Sequence, residues 1–253
     1  MKRILFPASI VLLLIFSAVC CTRQPKKITA IKGEQITIDS TYDANPDTAV
    51  AAIVAKYQSA LTDQLQEVIG KSAREMSSRR PESLLSNFTT DAMLEIARNR
   101  LGKPVDFSLV NFGGLRAVLP AGDIRLYDTY TIYPFENRLV ILTLEGKYVR
   151  ELFEFFATNR IEPMGNVSLK IKDKKLDLAK IDGQVLDDAK IYTLVTLDFI
   201  AQGGDGMTVF SKAASYEPTE LLLRDAMIDY IKTLTSEDKI IDAKLDGRAN
   251  IVP

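Results

Sequence analysis

Three short stretches carry residues whose types and spacing suit a planar, anionic ligand: "NFGGLR" (111–116), "YPFEN" (133–137) and "DFIAQGGDG" (198–206). In the first, Gly113 and Gly114 leave the backbone bare, so a ligand can approach it and amides can point at an anion. Arg116 can add a forked, charge-assisted bond to phosphate, carboxylate or ribose oxygens. The same residues also suit a tight turn with a surface arginine. In the second, Phe135 follows Pro134 in a turn, where a phenyl ring can stack on a base while Asn137 reads its edge. A hydrophobic plug beneath a loop is the plainer alternative. In the third, Phe199 closes an apolar run, and Gly203, Gly204, Asp205 and Gly206 form an acidic turn. Asp205 can accept from ribose hydroxyls, or the four residues can simply turn the chain.

The chemistry the sequence lacks is as informative. It contains no histidine, and its two cysteines are Cys20 and Cys21. There is no Gly-x-Ser-x-Gly elbow, no phosphate loop ending in Gly-Lys-Ser/Thr and no His-Glu-x-x-His helix. A Ser-His-Asp or Cys-His system and an imidazole-held zinc are therefore excluded within this sequence. Asp187 and Asp188 come nearest to a carboxylate site for magnesium or calcium, but adjacent acids near a turn are usually just solvated. Lys and Arg number 32 against 33 Asp and Glu, without the basic excess of a nucleic-acid-binding domain.

The ligand-bearing turns need elements to hold them. "VDFSLVN" (105–111) is predicted to be a buried strand delivering the first turn, and "RLVILTL" (138–144) a strand leaving the second. "KIYTLVTLDFI" (190–200) leads to the third, and "NVSLKIK" and "KLDLAKI" are also strand-like. A helix is expected from Asp47 or Thr48 to a stop at Gly70, with Val50, Ile53, Val54, Tyr57, Leu61, Leu65 and Val68 on one face. Another spans Thr89 to Arg100, with Met93, Ile96 and Ala97 inward. "EGKYVRELFEFFATN" (145–159) repeats Val149, Leu152, Phe153 and Phe156 at helical period. A last helix, Thr219 to Leu234, presents Leu223, Met227, Tyr230, Ile231 and Leu234. With 47% apolar residues the chain can fill a core. The reading is a single α+β domain over residues 45–253, a mixed sheet packed by helices.

Residues 1–20 have the marks of an export signal: Lys2 and Arg3, an apolar run from Ile4 to Phe16, then Ser17 and Ala18. Residues 21–44, punctuated by Pro25, form a tether. Both cysteines fall at the end of the signal, and "FSAVCC" resembles a bacterial lipobox, so Cys20, or Cys21, is the expected lipid attachment point. An ordinary cleaved signal with incidental cysteines is the alternative. Removing residues 1–19 takes two basic and no acidic residues, leaving 30 basic and 33 acidic residues and a net charge of −3.

The run "NFGGLRAVLPAGDIRLYDTYTIYPFENRLVILTLEGKYVRELFEF", with "GNVSLKIKDKKLDLAKIDGQVLDDAKIYTLVTLDFIAQGGDG" after it, resembles the C-terminal, substrate-recognition domain of the 5′-nucleotidase and UDP-sugar hydrolase family. The family pattern runs Asn-Gly-Gly-Gly-Ile-Arg, Ala-Gly-x-Ile, Pro-Phe-Gly-Asn, then Asn-Phe-x-Ala-x-Gly-Gly-Asp-Gly, and the likeness covers residues 45–252. It implies that Phe135 and Phe199 sandwich a nucleobase and that Asn137 faces the base edge. It further implies that Arg116 and Asp205 contact ribose or phosphate, that Asn111, Gly113 and Gly114 line the site, and that an upstream arginine, Arg79 or alternatively Arg80, completes it. Phe112 and Glu136 stand where the family has glycines. The family's hydrolysis is the work of an N-terminal metallophosphatase domain, for which fewer than about a hundred residues leave no room here.

The resemblance thus implies the recognition half of a split nucleotidase, with no cofactor of its own and divalent metals in a separate metallophosphatase chain. It would bind a nucleotide or nucleoside and no nucleic acid. Its lipid would hold it to the cell envelope, facing the periplasm. A stand-alone nucleoside or nucleotide binder is the alternative, and an envelope lipoprotein that kept the fold and lost the ligand is a third reading. Intact mass of the membrane-extracted protein should show a diacyl or triacyl increment on Cys20 or Cys21. A soluble, unmodified mature chain would remove the anchor.

Overall fold

The computed structural model describes residues 28–30, 32–34, 36, 41 and 47–252, without the side chains of residues 59–62. The expected signal, both cysteines and most of the expected tether lie outside the described residues. The chain divides into two compact units, Met1–Ala52 and Ile53–Pro253. The first contributes the opening turn of helix α1 (Thr48–Leu65), where Asp47 caps as expected: its Oδ1 accepts from the amides of Ala49 and Val50 at 2.9 and 3.1 Å. The apolar face expected of α1 is exposed at Val50, Ile53, Val54 and Tyr57. The helix also stops before Gly70, which lies within strand β1 (Val68–Ser72). A Cβ on Gly70 would stand 2.5 Å from Ile231 Cγ2, so this glycine permits close approach and does not end a helix.

In the second unit α2 (Leu84–Glu95) begins five residues earlier than its apolar spacing suggests. Ser83 and Ser86 satisfy each other's backbone amides in a capping box. The helix widens into a π-helical turn at Ile96–Arg100 and releases the chain at Gly102, φ +63°. Met93, Ile96 and Ala97 are buried as the periodicity requires.

The remaining elements are β2 (Phe107–Leu109), β3 (Gly122–Arg125), α3 (Leu126–Ile132), β4 (Arg138–Glu145), α4 (Gly146–Thr158), β5 (Met164–Gly165), β6 (Val167–Lys172), β7 (Lys175–Ile181) and β8 (Gln184–Val185). They are followed by β9 (Ile191–Leu197), α5 (Asp198–Ala201), β10 (Ser215–Leu222), α6 (Leu223–Ser236) and β11 (Ala249–Val252). Strands β1 and β3 form an antiparallel ribbon. A five-stranded mixed sheet runs β10-β4-β9-β2-β5, with β9 and β2 parallel and the other neighbours antiparallel. A four-stranded sheet runs β11-β6-β7-β8. This is the expected α+β architecture with mixed sheets.

The five-stranded sheet and its helices share one core. Val149, Leu152, Phe153 and Phe156 line the buried face of α4, and Phe153 meets Phe107 edge-on at 6.1 Å. The last helix is corrected too. Thr219–Leu222 belong to β10, because Pro218 pairs with Val140 and Leu222 with Arg138, and the last helix starts at Leu223. Among the described residues no helix is long and apolar enough to cross a membrane.

Candidate functional site

The sheet registers carry the three turns to one end. Strands β2 and β9 run in parallel, Phe107 opposite Leu194 and Ser108 opposite Val195, so Asn111–Arg116 and Asp198–Gly206 leave the sheet side by side. Strand β4 runs against β9 with Leu139 opposite Leu197, which sets Tyr133–Asn137 at the same end. The approach to β5 and the exit of β10 join them, since Met164 pairs with Leu109 and Leu222 with Arg138. Backbone bonds tie these segments together: Val110 N–H to Pro163 O at 3.0 Å, Arg116 N–H to Ile132 O at 2.9 Å and Leu223 N–H to Asn137 O at 2.9 Å.

Phe135 and Phe199 are 47% and 44% exposed, unusual for phenylalanine and far from the fully buried Phe107 and Phe153. Phe199 does not end a strand, as its apolar run suggests, but sits in α5, with its amide on Asp198 Oδ1. One side of its ring is covered by backbone: a Cβ at Gly204 would lie 2.5 Å from Phe199 Cε1 and 2.6 Å from its carbonyl oxygen. The "GGDG" turn achieves this approach through left-handed residues at Gly203, Asp205 and Gly206, with φ of 92°, 53° and 82°. The turn bearing Phe135 is tied inward by Tyr133, whose buried hydroxyl shares a 2.8 Å hydrogen bond with Thr89 Oγ1. Burial pushes the Tyr133 phenol well above its ordinary pKa, so it stays protonated.

Asn111 links two of the turns. It is 6% exposed, and its Nδ2 donates to Asp205 Oδ2 at 2.7 Å. Its Oδ1 is buried without a partner, and a Cβ on Gly114 would come within 2.9 Å of that oxygen. Gly113 is exposed and Gly114 buried beneath it. Arg116 is exposed, and its guanidinium has no partner among the described residues. Asn137 is half-buried.

Of the two upstream arginines, Arg80 reaches this end of the sheet. Its guanidinium lies 4.7 Å from the centre of the Phe112 ring, donates to Ile161 O at 3.1 Å and pairs with Glu162. Arg79 is exposed and instead lines a groove of about 500 Å³ with Arg74, Ser83 and Lys244. Glu162 itself carried no motif or periodic signal in the sequence. It is a buried carboxylate whose Oε2 accepts the Phe112 amide at 2.7 Å. The Asp187-Asp188 pair is spent on local structure: Asp187 Oδ1 caps Ala189 N–H at 2.9 Å and Asp188 pairs with Arg150 at 2.7 Å. Among the described residues no group of three or more Asp, Glu or Cys could hold a metal ion.

The arrangement brings two half-exposed rings, a guanidinium unpaired among the described residues, an aspartate and an orphaned amide oxygen to one sheet end of an α+β domain. Residues 67–212 match the family model described as 5′-nucleotidase, C-terminal domain. The chain belongs to that family. It is similar to protein UshA of Yersinia enterocolitica, 27% identical over 212 residues that cover 82% of this chain and 38% of the relative. An apyrase of Tabanus yao is 32% identical over 174 residues, 58% of this chain and 31% of that protein. The crystal structure of a 5′-nucleotidase precursor from Thermus thermophilus superposes with a TM-score of 0.70 at 27% identity, over 83% of this chain and 44% of that one. The chain thus spans less than half the length of these relatives.

Gly204→Ala should displace the Phe199 ring, because its new methyl would meet both ring and carbonyl. Overpacking of this kind costs about 1–3 kcal/mol. A lower melting temperature with shifted Phe199 ring resonances and unshifted Phe107 resonances is expected. An unmoved Phe199 would show that the glycine does not place the ring.

Proposed function

We propose that this domain is the nucleotide-recognition half of a split 5′-nucleotidase-type phosphohydrolase. A nucleobase lies between Phe135 and Phe199 with Asn137 at its edge. Arg116 and Asp205, joined by Asn111, Gly113 and Gly114, meet the ribose and phosphate, with Arg80 or Arg79 as the further arginine. The observation that carries this reading is the delivery of both half-exposed phenylalanines to one end of one sheet by the β4–β9 register. A ring on a turn, with one face free, is what base stacking needs and what a core does not.

The phosphoester chemistry belongs, in this reading, to a separate metallophosphatase chain. That partner supplies divalent metals, whose bound water attacks phosphorus, and the imidazole ligands this chain lacks. The domain is exported, lipid-anchored through Cys20 or Cys21, and faces the periplasm. Its open site supports the need for a partner, since both rings remain about half exposed in the chain alone.

Calorimetric titration of the purified chain with adenosine and uridine nucleotides tests the sandwich. Stacking contributes about 1–3 kcal/mol per base, so Phe199→Ala and Phe135→Ala should each weaken binding by about 5- to 150-fold. Unchanged affinity in both variants would remove the rings from the site.

Turnover tests the division of labour. The chain alone should leave AMP and UDP-glucose intact with manganese, zinc, cobalt or magnesium present, and addition of the metallophosphatase chain should restore hydrolysis. Arg116→Ala should then raise the apparent KM more than it lowers kcat, because a recognition arginine contributes mostly uniform binding. Robust metal-dependent turnover by the chain alone would sink the split-enzyme reading.

A further inference from the structure

The "NFGGLR" turn is gripped from behind by an ion pair that no motif announces. Glu162 has a side chain only 6% exposed, just ahead of β5. One carboxylate oxygen takes the Phe112 amide and the other takes Arg80, while the Arg80 guanidinium lies 4.7 Å from the centre of the Phe112 ring. Phe112 is thereby held at its backbone and at its side chain by the same pair. The next link is Asn111, which precedes Phe112 and holds Asp205 of the "GGDG" turn. Two of the three turns proposed to carry the ligand therefore hang on the Arg80–Glu162 pair.

We infer that Glu162 is a positioning residue for the ligand site, its ionised carboxylate fixing Arg80 and Phe112 so that Asn111 and Asp205 meet the ligand in register. The inference rests on the nucleotide-binding reading above. Ionisation matters because a carboxylate offers charge-assisted acceptors to both partners, whereas the neutral acid keeps its hydrogen bond to the amide and loses the charge pair with Arg80.

The groups facing Glu162 are Arg80, from the segment before α2, the Phe112 amide after β2, and Asp205 after β9. Burial holds the carboxyl above its ordinary value of 4.5. Asp205 acts in the same direction, and the Phe112 amide and Arg80 oppose both. Two opposite pH trends follow. The folded state holds this proton more tightly than the unfolded chain. Its contribution to stability is therefore full below 4.5 and lost as pH rises through the folded-state value. Ligand affinity runs the other way, rising over the same window as the carboxylate forms. A purely structural role for Glu162 would give the stability trend without the affinity trend.

The probe is adenosine, which has no phosphate to titrate, bound calorimetrically to the full mature chain from pH 4.5 to neutrality. Wild-type affinity should rise with pH. Glu162→Gln should weaken binding at neutral pH by about tenfold, the scale of one charge-assisted bond, and flatten the profile. Arg80→Ala, at a side chain 36% exposed, should move the midpoint of the profile to higher pH by removing the cation that favours the carboxylate. If Glu162→Gln does not fold, the Arg80→Ala midpoint decides alone. Wild-type binding with a flat profile, or an Arg80→Ala midpoint that stays put, overturns the positioning role and leaves the nucleotide reading standing. Absence of adenosine and uridine binding by the wild type at neutral pH overturns both.

Discussion

The ladder between β4 and β9 is the constraint on which the end carrying the three turns depends. It pairs Leu139 with Leu197 and continues in register to Glu145 and Ile191, between strands whose side chains are mostly buried. Side chains alternate with a period of two, so a slip of one residue would exchange the two faces of both strands and mispack the core on each side. Burial of Leu139, Val140, Ile141, Leu142, Leu194, Val195 and Leu197 forbids that slip. Phe135 stands four residues before the ladder and Phe199 two after it, so the register that satisfies the core also brings the rings to one end. Strand β9 pairs with β2 on its other side, and the same register carries Asn111 there.

A register places turns but does not stiffen them, and their stiffness has separate sources. Tyr133 fastens the second turn to α2 through Thr89, Asn111 fastens the first turn to the third, and the left-handed residues of "GGDG" let the third lie against Phe199. Each fastening bond is at least partly shielded from water, where a satisfied hydrogen bond is expensive to break. Loops fixed in this way have little conformational freedom left to lose on binding, so more of any stacking and charge-assisted energy appears as affinity. Among the buried side-chain atoms of these turns the unpaired Asn111 Oδ1 is the exception, and it marks where a donor from the proposed ligand would be welcome.

What was legible in the sequence depended on whether the determining contact was local. Helix α4 shows its four apolar positions at helical spacing because one face must meet the sheet, and "RLVILTL" contains the unbroken apolar run Leu139 to Leu142 because the middle of β4 is buried on both faces. The turns bearing Phe135 and Asp205 could be read because proline and clustered glycine have few other uses. Strand β10 could not, because "TELLL" favours a helix and yields only to pairing with β4, about 80 residues away in the chain. Glu162 was illegible for the same reason, since its partner Arg80 is 82 positions distant. Arg79 and Arg80 differ by one position, and nothing local tells which of two neighbouring arginines will turn toward Phe112. The apolar stripe of α1 reads as a core face and is exposed at Ile53, Val54 and Tyr57.

The proposed separation of recognition from hydrolysis makes a physical demand that this architecture meets. A base-and-ribose grip adds to catalysis only if it holds the phosphate at a fixed place relative to groups on another chain, and a misplacement of about 1 Å can cost a hundredfold in rate. A recognition surface on long, independent loops would transmit its own motion to the reacting phosphorus. Here the rings stand three and two residues from strand ends in one sheet, the arginine and the aspartate seven and eight, and the turns between them are bonded to one another. The aromatic surface is left open, as a site must be when part of its enclosure comes from another surface. Rigidity in the grip and openness toward the partner are compatible because the sheet register supplies the first without covering the second.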